Sequence, residues 1–483
     1  MDCCITDKLH EECGVLGIFD KGEVGDIVAS VYYGLYALQH RGQESCGMSI
    51  NDDGLITNHR DLGLVNEVFT KEVMANMPRG HMAIGHCRYA TTGTRNRANA
   101  QPLLIRHVKG TMALAHNGNL TNAAELREEI ELSGGIFHAT SDTEVIAYTI
   151  TKERLTAPSI EAAVCSAMGR LKGAYSIVVM SPRKLIAARD PMGFRPLCMG
   201  KIGDSTIFAS ESCALDAVGA TFVREIEPGE VVVVTESGVQ SIKAHCDIPR
   251  NKQGFCVFEY IYFARPDSVI NNVCVHTARQ RAGEFLAESN PVDADVVIGV
   301  PDSGLDAALG FSKRSGIPYD IGFLKNKYIG RTFIAPSQKQ RENDVRIKLN
   351  PIPDAVRGKR VVLVDDSIVR GTTSLKIVKL VREAGATEVH MRLSSPPFKY
   401  PCYFGTDIDS SENLIAYKHS IDEIAKAIGV DSLGYLQLED LARLAPEANC
   451  NMCDGCFTGK YPVDPPSITA KSKFEKKLSE SKD

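Results

Sequence analysis

The stretch VVLVDDSIVRGTT, Val361 to Thr373, decides how the second half of this chain folds. Its four leading apolar residues, mostly β-branched, predict a buried parallel strand, and the following SLKIVKLVREAGA has helical spacing that stops around Gly385. The unit is therefore strand, loop and helix. The loop carries adjacent carboxylates, Asp365 and Asp366, at the carboxyl end of the strand, and Ser367, Gly371, Thr372 and Thr373 lead into the helix N-terminus. Backbone N–H groups, hydroxyls and the helix dipole at such a place suit a phosphate, while the aspartates suit sugar hydroxyls or a metal on the same ligand.

At 483 residues the chain is long enough for about three domains, or two large ones. A hydrophobic content of 43% and a charged content of 24% are those of a soluble globular protein, and a formal net charge of -5 gives no electrostatic reason to expect nucleic acid. Small-molecule ligands are the expectation. No apolar run reaches the length of a membrane span, and MDCCITDKLHEE lacks the basic start and apolar stretch of a secretory signal, which points to the cytoplasm. Fifteen cysteines is a large, odd number for a compartment where disulfides are rare, so metal, cluster or nucleophile roles come first.

All thirteen positions of the opening stretch resemble the binding loop of the type I phosphoribosyltransferases, which hold 5-phosphoribosyl 1-pyrophosphate (PRPP). In the other half, Cys13 heads a strand-like run, Cys-Gly-Val-Leu-Gly-Ile-Phe, behind a short polar leader. A helix-period segment at 24–38 leads into Gln39-His-Arg-Gly-Gln-Glu, and then come Gly85-His-Cys-Arg-Tyr-Ala-Thr-Thr-Gly, Ala115-His-Asn-Gly-Asn-Leu and Ser141-Asp-Thr-Glu. In that order and at those distances they resemble the class II glutamine amidotransferases, over about residues 13–245. Joined to the PRPP loop, the resemblance narrows over nearly the full length to the family of glutamine phosphoribosylpyrophosphate amidotransferases.

That resemblance implies an α+β N-terminal-nucleophile fold, an αββα sandwich, followed by an α/β phosphoribosyltransferase domain with a parallel sheet. It implies a propeptide at 1–12, a glutaminase domain at 13–245, a phosphoribosyltransferase domain with a cluster-binding segment at 246–466, and a polar tail at 467–483. Removal of the leader, Cys3 and Cys4 included, would give the Cys13 thiol a free α-amine as general base, with a reference pKa of ~8 suited to neutral pH. The thiolate would attack the glutamine carboxamide, release ammonia and leave a thioester for water. The family places the Asn117 side chain and the Gly118 N–H at the tetrahedral intermediate. It places Arg88 on the glutamine α-carboxylate and Asp142 on its α-ammonium. Cys87 departs from the family pattern and is expected to be packing, and the motif around Arg195 is expected to hold the fold. Short apolar strands between 173 and 234 suit the sandwich.

After a polar linker at 245–254, Cys256-Val-Phe-Glu-Tyr-Ile-Tyr-Phe-Ala-Arg-Pro-Asp-Ser opens the second domain. Asp295-Val-Val-Ile-Gly-Val-Pro-Asp-Ser-Gly predicts another buried strand whose loop can meet Asp365 on the same sheet edge. Ser303 is the candidate oxygen ligand for Mg²⁺ beside Asp365 and Asp366, with substrate phosphates completing the shell. The cationic run Leu324-Lys-Asn-Lys-Tyr-Ile-Gly-Arg is by resemblance a lid over PRPP, with Lys327, Tyr328 and Arg331 facing the pyrophosphate and its apolar residues lining a passage for ammonia. Three cysteines at two-residue gaps, Cys450, Cys453 and Cys456, make a metal site, zinc or iron-sulfur, and spacing does not choose. The resemblance does: it implies one [4Fe-4S] cluster on Cys256, Cys402, Cys453 and Cys456, structural in role, with Cys450 left unligated. It further implies a homotetramer inhibited by AMP, GMP and ADP. A sugar-phosphate amidotransferase is the enzymatic alternative, against which the Asp365 loop argues. A PRPP-sensing regulator with an idle glutaminase is the other, against which the intact Cys13, Arg88, Asn117 and Asp142 argue.

Overall fold

The apolar run at 361–364 forms the strand Arg360–Asp365 in the computed structural model of the chain, which describes residues 13–89, 96–326, 349–406, 408 and 410–466. It is second in a four-stranded sheet ordered Val296–Gly299, Arg360–Asp365, Glu388–Leu393, Ser432–Tyr435, every neighbouring pair parallel. A parallel sheet needs cover on both faces, which is why its strands read as continuous apolar runs. Val362 and Val364 pack against Ala282, Leu286 and Phe311, from the helices Val275–Ser289 and Gly304–Ser315. Val361 and Leu363 face the other way, onto Ile377 and Val381 of the helix Thr372–Glu383. That helix stops two residues before Gly385, as its periodicity predicts, and Gly385 takes φ 105° in the turn. All the loops after these strands therefore leave from one edge.

The first half is built from two antiparallel sheets. In the seven-stranded sheet, Gly14–Phe19 lies between Ser205–Ala209 and Met82–Arg88; in the six-stranded one, Gly110–Leu120 lies between Leu103–His107 and Gly173–Met180. Period-two alternation splits each strand between two cores. Val15, Phe19 and Ile84 meet Ala113, Ala115 and Val178 between the sheets. On the outside, Leu16 and Ile18 pack under the helix Ile27–Ala37, and Leu114 and Ile177 under the helices Asp142–Arg154 and Ile160–Met168. The layering is the αββα sandwich expected. The first helix starts later than the predicted residue 24 because the Asp26 carboxylate caps it, accepting from the Ala29 N–H at 3.1 Å.

Chain crossing ties the halves together. Phe255–Cys256 pairs in parallel with Met452–Cys453, so the carboxyl-terminal cysteine segment returns to the place where the second half begins. No described helix is long and apolar enough to cross a membrane.

Candidate functional site

Cys13 directly precedes the strand Gly14–Phe19 and is buried, with its Sγ 3.5 Å from the Tyr89 carbonyl. The register pairs Gly14 with Cys87, which places Cys13 beside the end of the strand carrying Arg88. Alternation then separates the two neighbours. Cys87 lies on the helix-covered face, its thiol donating to the Leu35 carbonyl at 3.4 Å and pushed well above its usual range by burial. Cys87 is thus packing, as expected, while Arg88 follows His86 and Ile84 on the opposite face.

Asn117 continues the inter-sheet face of Ala113 and Ala115. It is fully buried, yet neither its amide nitrogen nor its amide oxygen has a hydrogen-bond partner among the described residues. Such a group costs about 1 to 3 kcal/mol to leave unsatisfied, so a buried carboxamide of this kind points to a ligand. The next residue, Gly118, has φ 137°, and a Cβ there would sit 2.2 Å from the Ala174 carbonyl, so only glycine fits. His86 fixes this strand against Met82–Arg88 by donating from Nε2 to the His116 carbonyl at 2.9 Å, and burial pushes its pKa down to about 3, leaving the ring neutral.

Asp142 begins the helix Asp142–Arg154, where a carboxylate suits the dipole. Its Oδ2 accepts from the Leu120 N–H at 3.0 Å, which anchors the helix to the Asn117 strand, and Oδ1 remains on the side of Ser141 and His116. Arg88 is buried and lies 3.4 Å from Glu44. Cys13, Arg88, Asn117 and Asp142 thus gather at one end of the sandwich. Residues 90–93 of the Arg88 motif lie outside the described residues.

Arg41, in the motif Gln39-His-Arg-Gly, has no role that the sequence alone assigns. Its Nε–H donates to the Cys13 carbonyl at 3.1 Å, and its two amino groups reach Glu211 and Glu259. Burial alone would raise the Glu211 carboxyl, but His40 and Arg41 beside it hold it far below the usual range. The signal was the motif itself, Gln39-His-Arg-Gly, in which a cation sits among residues that otherwise read as a turn.

At the carboxyl edge of the parallel sheet, the Ser303 hydroxyl donates to Asp366 Oδ1 at 2.6 Å and Ser367 to Asp366 Oδ2 at 2.5 Å. Asp365 Oδ1 accepts from the Asp366 N–H at 3.0 Å, and both carboxylates are buried. Gly371, with φ 87°, caps the helix Thr372–Glu383 without a side chain, leaving Thr372 and Thr373 in its first turn. Ser303 heads the helix Gly304–Ser315, so two helix N-termini and two aspartates meet at this edge. Lys327, Tyr328 and Arg331, expected in the lid, lie outside the described residues.

Cys256, Cys402, Cys453 and Cys456, from three separate segments, line a single cavity of about 20 Å³ walled by Phe194 and Phe398 among other aromatics. Cys450 is outside that lining. Burial, with the neighbouring Cys402, pushes the Cys453 thiol up to about 12 and the Cys456 thiol well above its usual range. Among the described residues no three His, Cys, Asp or Glu side chains are grouped closely enough to hold a metal ion as they stand.

The fold and these sites define a glutamine amidotransferase joined to a phosphoribosyltransferase. A glutamine amidotransferase domain matches residues 86–217 and a phosphoribosyl transferase domain residues 272–394. The chain is 48% identical to the amidophosphoribosyltransferase of Bacillus subtilis, over 94% of this chain and 95% of that one. It belongs to the amidophosphoribosyltransferase family. It superposes with TM-score 0.88 and 46% identity on the B. subtilis glutamine PRPP amidotransferase complexed with ADP and GMP, covering 95% of this chain and 99% of that chain. A structure described as the allosteric regulatory enzyme of purine biosynthesis gives TM-score 0.89 at 46% identity, over 96% and 99% of the two chains.

Proposed function

We propose that the protein converts PRPP, glutamine and water to 5-phosphoribosylamine, glutamate and pyrophosphate, the first committed step of purine biosynthesis. The observation that carries the glutaminase half is Asn117, a buried carboxamide with no partner among the described residues, on the strand facing Cys13. Residues 1–12 are removed, and the freed α-amine of Cys13 takes the thiol proton, so that no triad histidine is needed. Arg88 and Asp142 hold the two charged ends of glutamine. The Asn117 amide and the Gly118 N–H meet the oxygen that becomes negative as the thiolate adds. Ammonia leaves, and water releases glutamate from the thioester.

In the second half, Asp365 and Asp366 hold the ribose hydroxyls or a magnesium ion, and the N-terminus at Gly371, Thr372 and Thr373 takes the 5-phosphate. Ser303 and the two aspartates are hard oxygen donors, and magnesium takes few protein ligands when substrate phosphates supply the rest, so the set fits the ion. Magnesium, when bound, neutralises the departing pyrophosphate. The protein's own part is to hold C1 of the ribose open to ammonia on the face opposite that leaving group, giving inversion.

The cysteine cavity is read here as the seat of a [4Fe-4S] cluster, because four thiols around one apolar cavity are the donor set such a cluster takes. When bound, the cluster ties the tail to both halves. Protein isolated without oxygen is expected to contain iron and acid-labile sulfide in equal amounts, and Cys256→Ser to lose both. Stoichiometric zinc in their place would overturn this reading. Purine nucleotides are the expected inhibitors, in line with the ADP and GMP held by the B. subtilis relative, and a homotetramer the expected assembly.

The deciding assay is the yield of pyrophosphate and glutamate when PRPP meets glutamine, expected one to one; glutamine that drives no pyrophosphate release would leave a PRPP-sensing regulator. Asn117→Ala is expected to lower the glutamine-dependent kcat by roughly 10² to 10³, the usual loss for one oxyanion donor, and to leave ammonium-dependent pyrophosphate release unchanged. Stopped-assay glutamate and pyrophosphate measurements check both arms.

A further inference from the structure

Arg41 is fully buried and joined to carboxylates from both halves of the chain. Glu211, from the first half, accepts from Nη1 at 2.6 Å. Glu259, from the second, takes the bidentate position, accepting from Nη1 at 2.9 Å and Nη2 at 2.7 Å. A guanidinium is planar, so fixing its two amino groups also fixes the direction of Nε–H, which here donates to the Cys13 carbonyl at 3.1 Å. Glu259 is held in turn. Arg195 Nη1 lies 3.3 Å from its Oε1 and Arg195 Nη2 donates to the Phe404 carbonyl at 2.7 Å. The turn Glu259–Phe263 that carries it is gripped by Arg279, which donates to the carbonyls of Tyr260, Tyr262 and Ala264.

Burying a carboxylate at zero exposure carries a desolvation cost that packing alone does not require. The place where the bond ends explains its retention. The carbonyl that Arg41 holds belongs to the residue whose thiol and α-amine must be aimed together, and a small misplacement of reacting groups costs orders of magnitude in rate. We propose that Glu259, supplied by the phosphoribosyltransferase half, is a positioning residue of the glutaminase: it aims Arg41 at the Cys13 carbonyl and thereby sets the orientation of the nucleophile. This rests on Cys13 being that nucleophile, as read above. Glutamine hydrolysis then depends on the docking of the cysteine-bearing segment, although Glu259 touches no substrate.

The test is Glu259→Gln in the full-length holoprotein, which keeps the side-chain volume and removes the charge and one acceptor. The glutamine-dependent kcat is expected to fall by roughly 10- to 100-fold, the range for losing one charge-assisted bond that acts on the reacting geometry. The KM for glutamine is expected to stay within about threefold, because Arg88 and Asp142 are untouched, and ammonium-dependent pyrophosphate release within about twofold. Glu259→Asp, which keeps the charge, should recover part of the kcat. Arg41→Lys should show the same split, and the double variant should be no worse than the worse single one, since the two side chains act as a unit. An unchanged kcat, a parallel fall of both nitrogen routes, or an additive double variant would overturn the proposal. If Cys13→Ala kept glutamine use, the nucleophile assignment itself would fail; if it lost glutamine use while Glu259→Gln did not, only this inference would.

Discussion

Cys13→Ala is expected to lose glutamine-dependent phosphoribosylamine formation by on the order of 10⁴-fold or more while ammonium-dependent formation continues near its full rate. The asymmetry follows from placement. Cys13 supplies both the thiol and, once the leader is gone, the amine that deprotonates it, so one substitution removes the attacking atom for which no neighbour substitutes. Alanine fits the same buried position at the head of the strand, so the sandwich keeps its three cores. The parallel sheet, with Asp365 and Asp366 at its carboxyl edge, is a separate core and needs no contribution from the thiol. Pyrophosphate release measured with glutamine and with ammonium side by side decides the matter; loss of both would mean that the two chemistries do not divide between the halves.

Asp366→Asn should do the opposite and silence both nitrogen sources. Asp366 is the junction of this edge: it accepts from Ser303 on one helix N-terminus and from Ser367 in its own loop, and its backbone N–H donates to Asp365. An amide keeps the shape but presents a donor where a hydroxyl already donates, and it removes the charge that a magnesium ion or a ribose hydroxyl would meet. A loss of about 10² to 10³ is expected in pyrophosphate release with either glutamine or ammonium. Circular dichroism and iron content should match the parent protein. Retained ammonium-dependent activity would place PRPP elsewhere.

The parts of this molecule that were legible in the sequence are those where local chemistry writes a pattern. Val361 to Val364 read as a central parallel strand because both faces are covered, and the next helix announced itself by its spacing and by Gly385. Cys87 could be assigned to packing, and period-two alternation next to Arg88 explains why adjacent residues have such different surroundings. Long-range pairing was not legible. Arg41 and Glu259 are 218 positions apart, and nothing around either residue names the other. Arg195 was expected to hold the fold, and it does so by bonding Glu259 and the Phe404 carbonyl, but its partners emerge only when the halves are docked. The cysteine set shows the same limit. Spacing alone groups Cys450, Cys453 and Cys456, and it took the resemblance to name Cys256, Cys402, Cys453 and Cys456, the four that line the cavity while Cys450 stays outside it.

That cavity also has a consequence for how the molecule can be taken apart. Its wall includes Phe194 from the sandwich, stacked on Phe404 from the far side of the chain at 4.2 Å between ring centres. A hybrid made by severing the linker and grafting the sandwich onto a foreign partner would carry away one tile of the lining and expose the rest to water. The transplantable module is therefore larger than either sheet. Its natural border runs around the cysteines, and a fragment trimmed inside that border should be recovered as aggregate rather than as a working half.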